Sequence, residues 1–172
     1  MRVIDRQGLA RWNRRWALAA VFGLVSVPWT YAFVVSGIPL WPSFVASAAY
    51  FAADEGPRGF GRATAGVLAG IAYGAATLAV VAGLGGGVAA LSLAVGAAMF
   101  LASLHAFAPA VFFPPGLFLG YATLFSVHAA GARALGLGGL PGETIAAALA
   151  MGIGAAIGLA ADGASARLRT AG

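Results

Sequence analysis

Apolar residues run through this chain in six blocks, at roughly 16–37, 39–53, 60–82, 88–107, 110–130 and 144–161. Each is parted from the next by a short stretch of glycine, proline or charge. No block alternates apolar and polar positions with the period of two expected of a half-buried strand. Several are near the ~20 residues that a helix needs to cross a bilayer. The pattern predicts an all-α integral membrane protein of about six transmembrane or partial helices. The second block is the short one. As a helix its 15 residues rise about 22 Å, against a hydrocarbon core of about 30 Å. It is therefore expected to tilt, to thin the bilayer or to pack inside protein as a partial helix.

Two of the blocks open alike. Pro39-Leu40-Trp41-Pro42 leads the second, and Phe113-Pro114-Pro115-Gly116 leads the fifth. Proline suits a first helical turn because the amide it lacks would have no intrahelical partner there. Aligning Pro42 with Pro115 sets Ser43 on Gly116 and Ser47 on Gly120. With three blocks on either side of the midpoint, this alignment admits two inverted three-helix repeats, an arrangement used by many transport proteins. Glycines also recur every fourth residue at Gly66, Gly70 and Gly74, at Gly116 and Gly120, and at Gly154 and Gly158. Such stripes let helix backbones approach closely. Packing within the chain is the plainer use for them; one face could serve a homo-oligomer.

Composition agrees with a membrane. Of 172 residues, 61% are hydrophobic and 9% charged, where soluble domains carry about 25% charged residues. All ten basic residues are arginine, and they gather at block ends. If the N-terminus lies inside, nine of the ten are cytoplasmic and only Arg133 is outside, so the positive-inside rule predicts both termini in the cytoplasm of a bacterial inner membrane. This reading also accounts for the net charge of +5 without nucleic acid. The first block is too long for a secretory signal and stays as a span. The expected organisation is a basic segment over 1–15, one transmembrane domain over 16–161 and a cytoplasmic tail over 162–172.

Reactive chemistry is sparse. There is no cysteine, no aspartate or glutamate falls inside a proposed span, and of the arginines only Arg62, near the start of the third block, does. Coupled transporters commonly keep a carboxylate in the membrane for the coupling ion, so coupling to protons or sodium is not expected. Neither is an enzyme, a metal site or a cofactor. His105 and His128 are the titratable groups inside the proposed spans apart from tyrosines. Each reads most plainly as a hydrogen-bonded residue near an interface, and more sharply as a histidine at a pore mouth. Hydroxyl and aromatic side chains in blocks one, two and five supply the better site. The candidates are Trp29, Tyr31, Trp41, Ser47, Tyr50, Tyr121 and Thr123, with Pro42, Pro115 and Gly120 shaping the two proline-led helices. Interface anchoring is the plainer role for Trp41. Asp54-Glu55-Gly56-Pro57-Arg58 reads as a solvated turn.

The run Trp41-Pro42-Ser43-Phe44-Val45-Ala46-Ser47-Ala48-Ala49-Tyr50-Phe51-Ala52 with Arg58-Gly59, and the run Pro115-Gly116-Leu117-Phe118-Leu119-Gly120 with Ala122-Thr123 and Phe125, resemble motifs of a bacterial inner-membrane family known as domain of unknown function 1097. The resemblance covers most of the chain and implies a compact multi-span protein with no assigned activity. The expected function is a channel or facilitator for a small neutral or weakly charged solute, with the path lined by blocks one, two and five. The alternative is an accessory or scaffold subunit that does not transport. An intramembrane enzyme ranks third. The expected partners are the lipid bilayer, the solute and a second copy of the chain.

Overall fold

A computed structural model describes residues 6–54, 56–108 and 113–170, with side chains from Trp16 to Leu168. Arg2, Asp5, Glu55 and the start of the fifth block at Ala110 lie outside the described residues. So do the side chains of Arg6, Arg11, Arg14, Arg15 and Arg169. The described residues form six α-helices: α1 (Arg6–Ser36), α2 (Trp41–Ala53), α3 (Gly56–Gly83), α4 (Val88–Ser103), α5 (Pro114–Ala129) and α6 (Gly139–Thr170). A short 3₁₀ turn, Leu104–Phe107, follows α4. The fold is all-helical, as the apolar blocks predict. The charged ends differ from expectation: helix already runs from Arg6, and α6 continues to Thr170 instead of stopping at 161.

The helix ends follow from local chemistry. Pro42 sits in the first turn of α2, and Pro114 and Pro115 open α5. Gly37 breaks α1 with a positive φ of 69°, and a triplet of left-handed glycines, Gly85 to Gly87, turns α3 into α4. Four helical segments are long and apolar enough to cross a membrane: Trp16–Ser36, Gly56–Gly83, Val88–Phe107 and Gly139–Leu168. The other two helices, α2 and α5, have 13 and 16 residues.

α3 and α6 form the middle of the bundle. α5 packs along α3, and α2 packs along α6. α1 lies outside against α6, and α4 lies outside against α3. The core joins Ala46, Ala49 and Tyr50 of α2 to Val67 and Ile71 of α3, Leu124 and Val127 of α5, and Ala146, Ala147, Met151 and Ala155 of α6. Outward faces are as apolar as the core: Leu24, Val27 and Val34 on α1, and Leu93, Phe100 and Leu101 on α4, are all exposed. In water such a belt would drive aggregation; a bilayer solvates it. This is a multi-pass membrane protein.

Directions follow from pairwise contacts. Trp29 meets Phe44 and Phe22 meets Phe51, so α1 and α2 are antiparallel. Gly154 meets Ser43 and Gly158 meets Tyr50, so α2 and α6 are parallel. The start of α1 and the end of α6 therefore share one face with Asp54, Arg58, Arg62, Asp162 and Arg167. The opposite face carries His128, Arg133 and Glu143.

Candidate functional site

Polar side chains in α2 all turn towards α6 or α1. The Trp29 indole N–H donates to the Ser43 hydroxyl at 3.0 Å, and that hydroxyl donates to the Leu40 carbonyl. One turn on, Ser47 donates to the Gly154 carbonyl at 2.6 Å. Tyr50 is completely buried; its hydroxyl donates to the Asp162 carboxylate at 2.9 Å and accepts the Gly56 N–H at 2.8 Å. Buried polar groups need such partners, because an unmade bond in a dry interior costs about 1–3 kcal/mol. Gly154 makes the seat for this helix, since a Cβ there would overlap the backbone of Ser43.

α5 is seated on α3 by a different means. A side chain at Gly70 would overlap the Leu117 carbonyl, and one at Gly120 would overlap Val67. Contact here is backbone against backbone, the close approach that small residues permit between membrane helices. One hydroxyl pair joins the two helices: Tyr121 donates to Thr77 at 3.1 Å, and Thr77 donates to the Tyr73 carbonyl at 2.8 Å.

The sequence-derived candidates separate into groups. Trp29, Pro42, Ser47, Tyr50, Gly120, Tyr121 and Thr123 are buried in helix packing. Tyr31 is 72% exposed on the outer face of α1, while Trp41 and Pro115 are also exposed. His105 lies in the 3₁₀ turn with its ring edge-on to Tyr73 at 5.5 Å. This puts it beside the middle of α3, rather than at the cytoplasmic end of a continuous fourth helix. His128 ends α5 and meets Glu143 of α6 at 2.6 Å.

Gly120 and Ser47 each abut the long helix that carries them: a side chain at Gly120 would overlap Val67 of α3, and Ser47 donates to Gly154 of α6. Small residues were placed there because helix backbones meet, and the prolines mark where those helices begin. A groove of about 210 Å³ lies on the outer side of α3, between it and α4, lined by Tyr73, Ala76, Thr77, Ala94, Ala98 and Leu101 among others.

Sequence reading also missed three partners. Asp162 and Glu143 fell outside the proposed spans, yet both belong to α6 and bond side chains of the two short helices. Glu143 is only 7% exposed. They are 19 residues apart, which along a helix is about 28 Å, a separation close to the thickness of a hydrocarbon core. Thr77 was the third; its helical spacing from Gly70 and Gly74, on the face that meets α5, was the available signal. At the face of the α1 start and the α6 end, Arg62 pairs with the Asp54 carboxylate and donates to the Ala53 carbonyl at 3.1 Å, tying α2 to α3.

The family described as protein of unknown function DUF1097 matches residues 19–166, which takes in α2 to α5 entirely and most of α1 and α6. The chain belongs to the DUF1097 family. Comparison with curated proteins and with solved structures finds no match. The DUF1097 match extends past both short helices and both α6 carboxylates, so the Tyr50–Asp162 and His128–Glu143 contacts lie within the family's boundaries.

Proposed function

We propose that this DUF1097 protein is a facilitator for a small neutral or weakly charged solute, built as two inverted three-helix halves in a bacterial inner membrane, with both termini cytoplasmic. The observation that carries the reading is the matched seating of the two short helices. Gly154 meets the Ser43 carbonyl as Gly70 meets the Leu117 carbonyl, and Gly158 meets the Tyr50 side chain as Gly74 meets the Leu124 side chain. The outer pairs match too, α1 on α6 and α4 on α3. This register pairs Ser43 with Leu117 and Ser47 with Tyr121, one residue away from the alignment on the prolines. Inverted repeats with interrupted or short helices are a common transporter plan, with the solute path at the interface of the repeats.

Uncoupled passage fits the position of the carboxylates. Glu143 lies in the second turn of α6 and Asp162 about two turns before its end, and both are bonded to protein partners. A coupling site needs an acid that an ion can reach along the path.

The test is flux in proteoliposomes, using urea, short amides, glycerol and short acids. Faster swelling than in protein-free vesicles is expected for at least one solute, with no accumulation driven by a proton or sodium gradient. Accumulation would overturn the uncoupled reading. Absence of flux for every solute would leave the second reading, an accessory membrane subunit. One observation favours that alternative specifically: the hydroxyls of α2 are used within the bundle, while Ser26, Thr30 and Tyr31 line an open groove on the outer face of α1.

A further inference from the structure

We propose that His128 and Glu143 form a pH-responsive latch between the end of α5 and the start of α6, on the face opposite the start of α1 and the end of α6. The reading holds whether the protein conducts a solute or serves as a subunit.

The argument begins with charge. Between Arg62 and Asp162 the charged or titratable side chains are Tyr73, His105, Tyr121, His128, Arg133 and Glu143. Tyr73, Tyr121 and His105 lie among the helices, so His128, Arg133 and Glu143 make up the charge of this face. α3 ends here with no charged residue after Tyr73, and α4 begins with none before His105. The turn from α1 to α2 is uncharged from Val34 to Leu40. Arg133 is exposed, in the connection between α5 and α6. The Glu143 side chain is 10% exposed and that of His128 48%, with imidazole Nδ1 and carboxylate Oε2 2.6 Å apart.

A carboxylate this buried needs a cation or a strong donor. Histidine is the side chain whose charge ordinarily changes between pH 5 and 8. Neutral imidazole can give Glu143 one hydrogen bond. Imidazolium gives it the same bond within an ion pair, and charge-assisted bonds are shorter and stronger. Protonation of the imidazole therefore tightens the latch.

The latch closes a defined loop. Residues 130–138 connect α5 to α6, and Ala134 is tucked into the core. A side chain at Gly142 would overlap Leu137, so the connection lies tightly over the start of α6. Opening the pair frees the last turn of α5 together with this connection. On the N-in orientation proposed above, this face meets the external medium, and the latch reads external pH.

The experiment is hydrogen exchange on the full chain in lipid nanodiscs, followed for residues 126–146 between pH 5.5 and 7.5 and corrected for intrinsic rates. In the wild type, protection is expected to be about fivefold greater at pH 5.5 than at 7.5. His128→Gln and Glu143→Gln should each remove that difference. A flat wild-type profile, or variants that keep the full pH dependence, would overturn the proposal. Should either variant fail to fold, the wild type still decides. The chain has only two histidines, so ¹⁵N-histidine spectra, assigned with His105→Gln, follow the charge of His128 directly. Its titration must coincide with the change in protection, and a mismatch overturns the latch. Neither measurement involves solute flux, so a failed transport assay leaves this result intact.

Discussion

α2 and α5 occupy comparable seats, yet different forces hold them. Towards α6, α2 presents Ser43, Ser47 and Tyr50, and two of these donate to α6 itself. Towards α3, α5 presents Gly116, Leu117, Gly120, Tyr121 and Leu124, and most of its fit is backbone against backbone. In a membrane the hydrophobic effect does little to drive helices together, because lipid is as apolar as a leucine face. What remains is close van der Waals contact and interhelical hydrogen bonding. The α5 seat relies mainly on the first, and the α2 seat combines both. Hydroxyls on a membrane helix can thus stand for a seat as readily as for a pore.

Bulk at the glycines should produce the largest effect. Gly70→Leu and Gly154→Leu each drive a side chain into the backbone of the neighbouring short helix. Overpacking typically costs about 1–3 kcal/mol, and a backbone obstacle belongs at or beyond the upper end because it cannot rotate away. Both variants should lose most monodisperse protein on size-exclusion in mild detergent. Gly96→Leu is the control, since a side chain there meets nothing nearby. If Gly70→Leu is tolerated while Gly154→Leu is not, the two seats are not equivalent and the inverted-repeat reading fails. By the same logic Gly120→Leu should disturb assembly of α5 on α3.

Next in size is Tyr50→Phe. It keeps the ring but removes the hydroxyl that serves both Asp162 and the Gly56 N–H. Leaving such groups without a partner should cost about 1–3 kcal/mol. Unfolding titrations of Tyr50→Phe, Asp162→Asn and the double variant would measure the coupling, which should be at least about 0.5 kcal/mol for groups in one network. Additive single effects would mean that the bond contributes nothing to holding α2 on α6.

These contacts show which parts of the molecule could be read in advance. Four of the apolar blocks coincide with helices to within a few residues, the first coincides with α1 from Trp16 onwards and the sixth with the middle of α6, because hydropathy and length suffice for a membrane helix. The glycine stripes at 66, 70 and 74 and at 154 and 158 were legible as packing faces from their spacing. The charged end of α6 was not: Asp162 and Arg167 end the apolar run, although the helix continues and Asp162 returns to Tyr50. The one-residue difference in repeat register has a similar origin. Prolines mark where a helix starts, whereas glycine contacts fix how it is seated. Ser47 and Tyr50 have the same composition in a pore as in a seat, and only Gly154 and Asp162, more than a hundred residues away, distinguish the two.

The smallest effect tests the comparison most closely. In the contact register Ser47 of α2 corresponds to Tyr121 of α5, and each donates one hydroxyl to its long helix. Removing Ser47's hydroxyl leaves the Gly154 carbonyl with the N–H that helix geometry supplies four residues on. Removing Tyr121's leaves Thr77 still donating to the Tyr73 carbonyl. Neither Ser47→Ala nor Tyr121→Phe therefore strands its partner, and each should cost about 0.6 kcal/mol, the typical worth of an interhelical hydrogen bond in a membrane. Unfolding in mixed micelles can resolve a difference of this size if the variants are run in parallel. Equal small losses would mean that the two seats use their hydroxyls alike and differ chiefly in how closely the backbones approach. A loss of about 2 kcal/mol or more at Ser47 alone would mean that this bond anchors α2 in a way that α5 has no need of, and the two halves would then be related in path but not in how they are held.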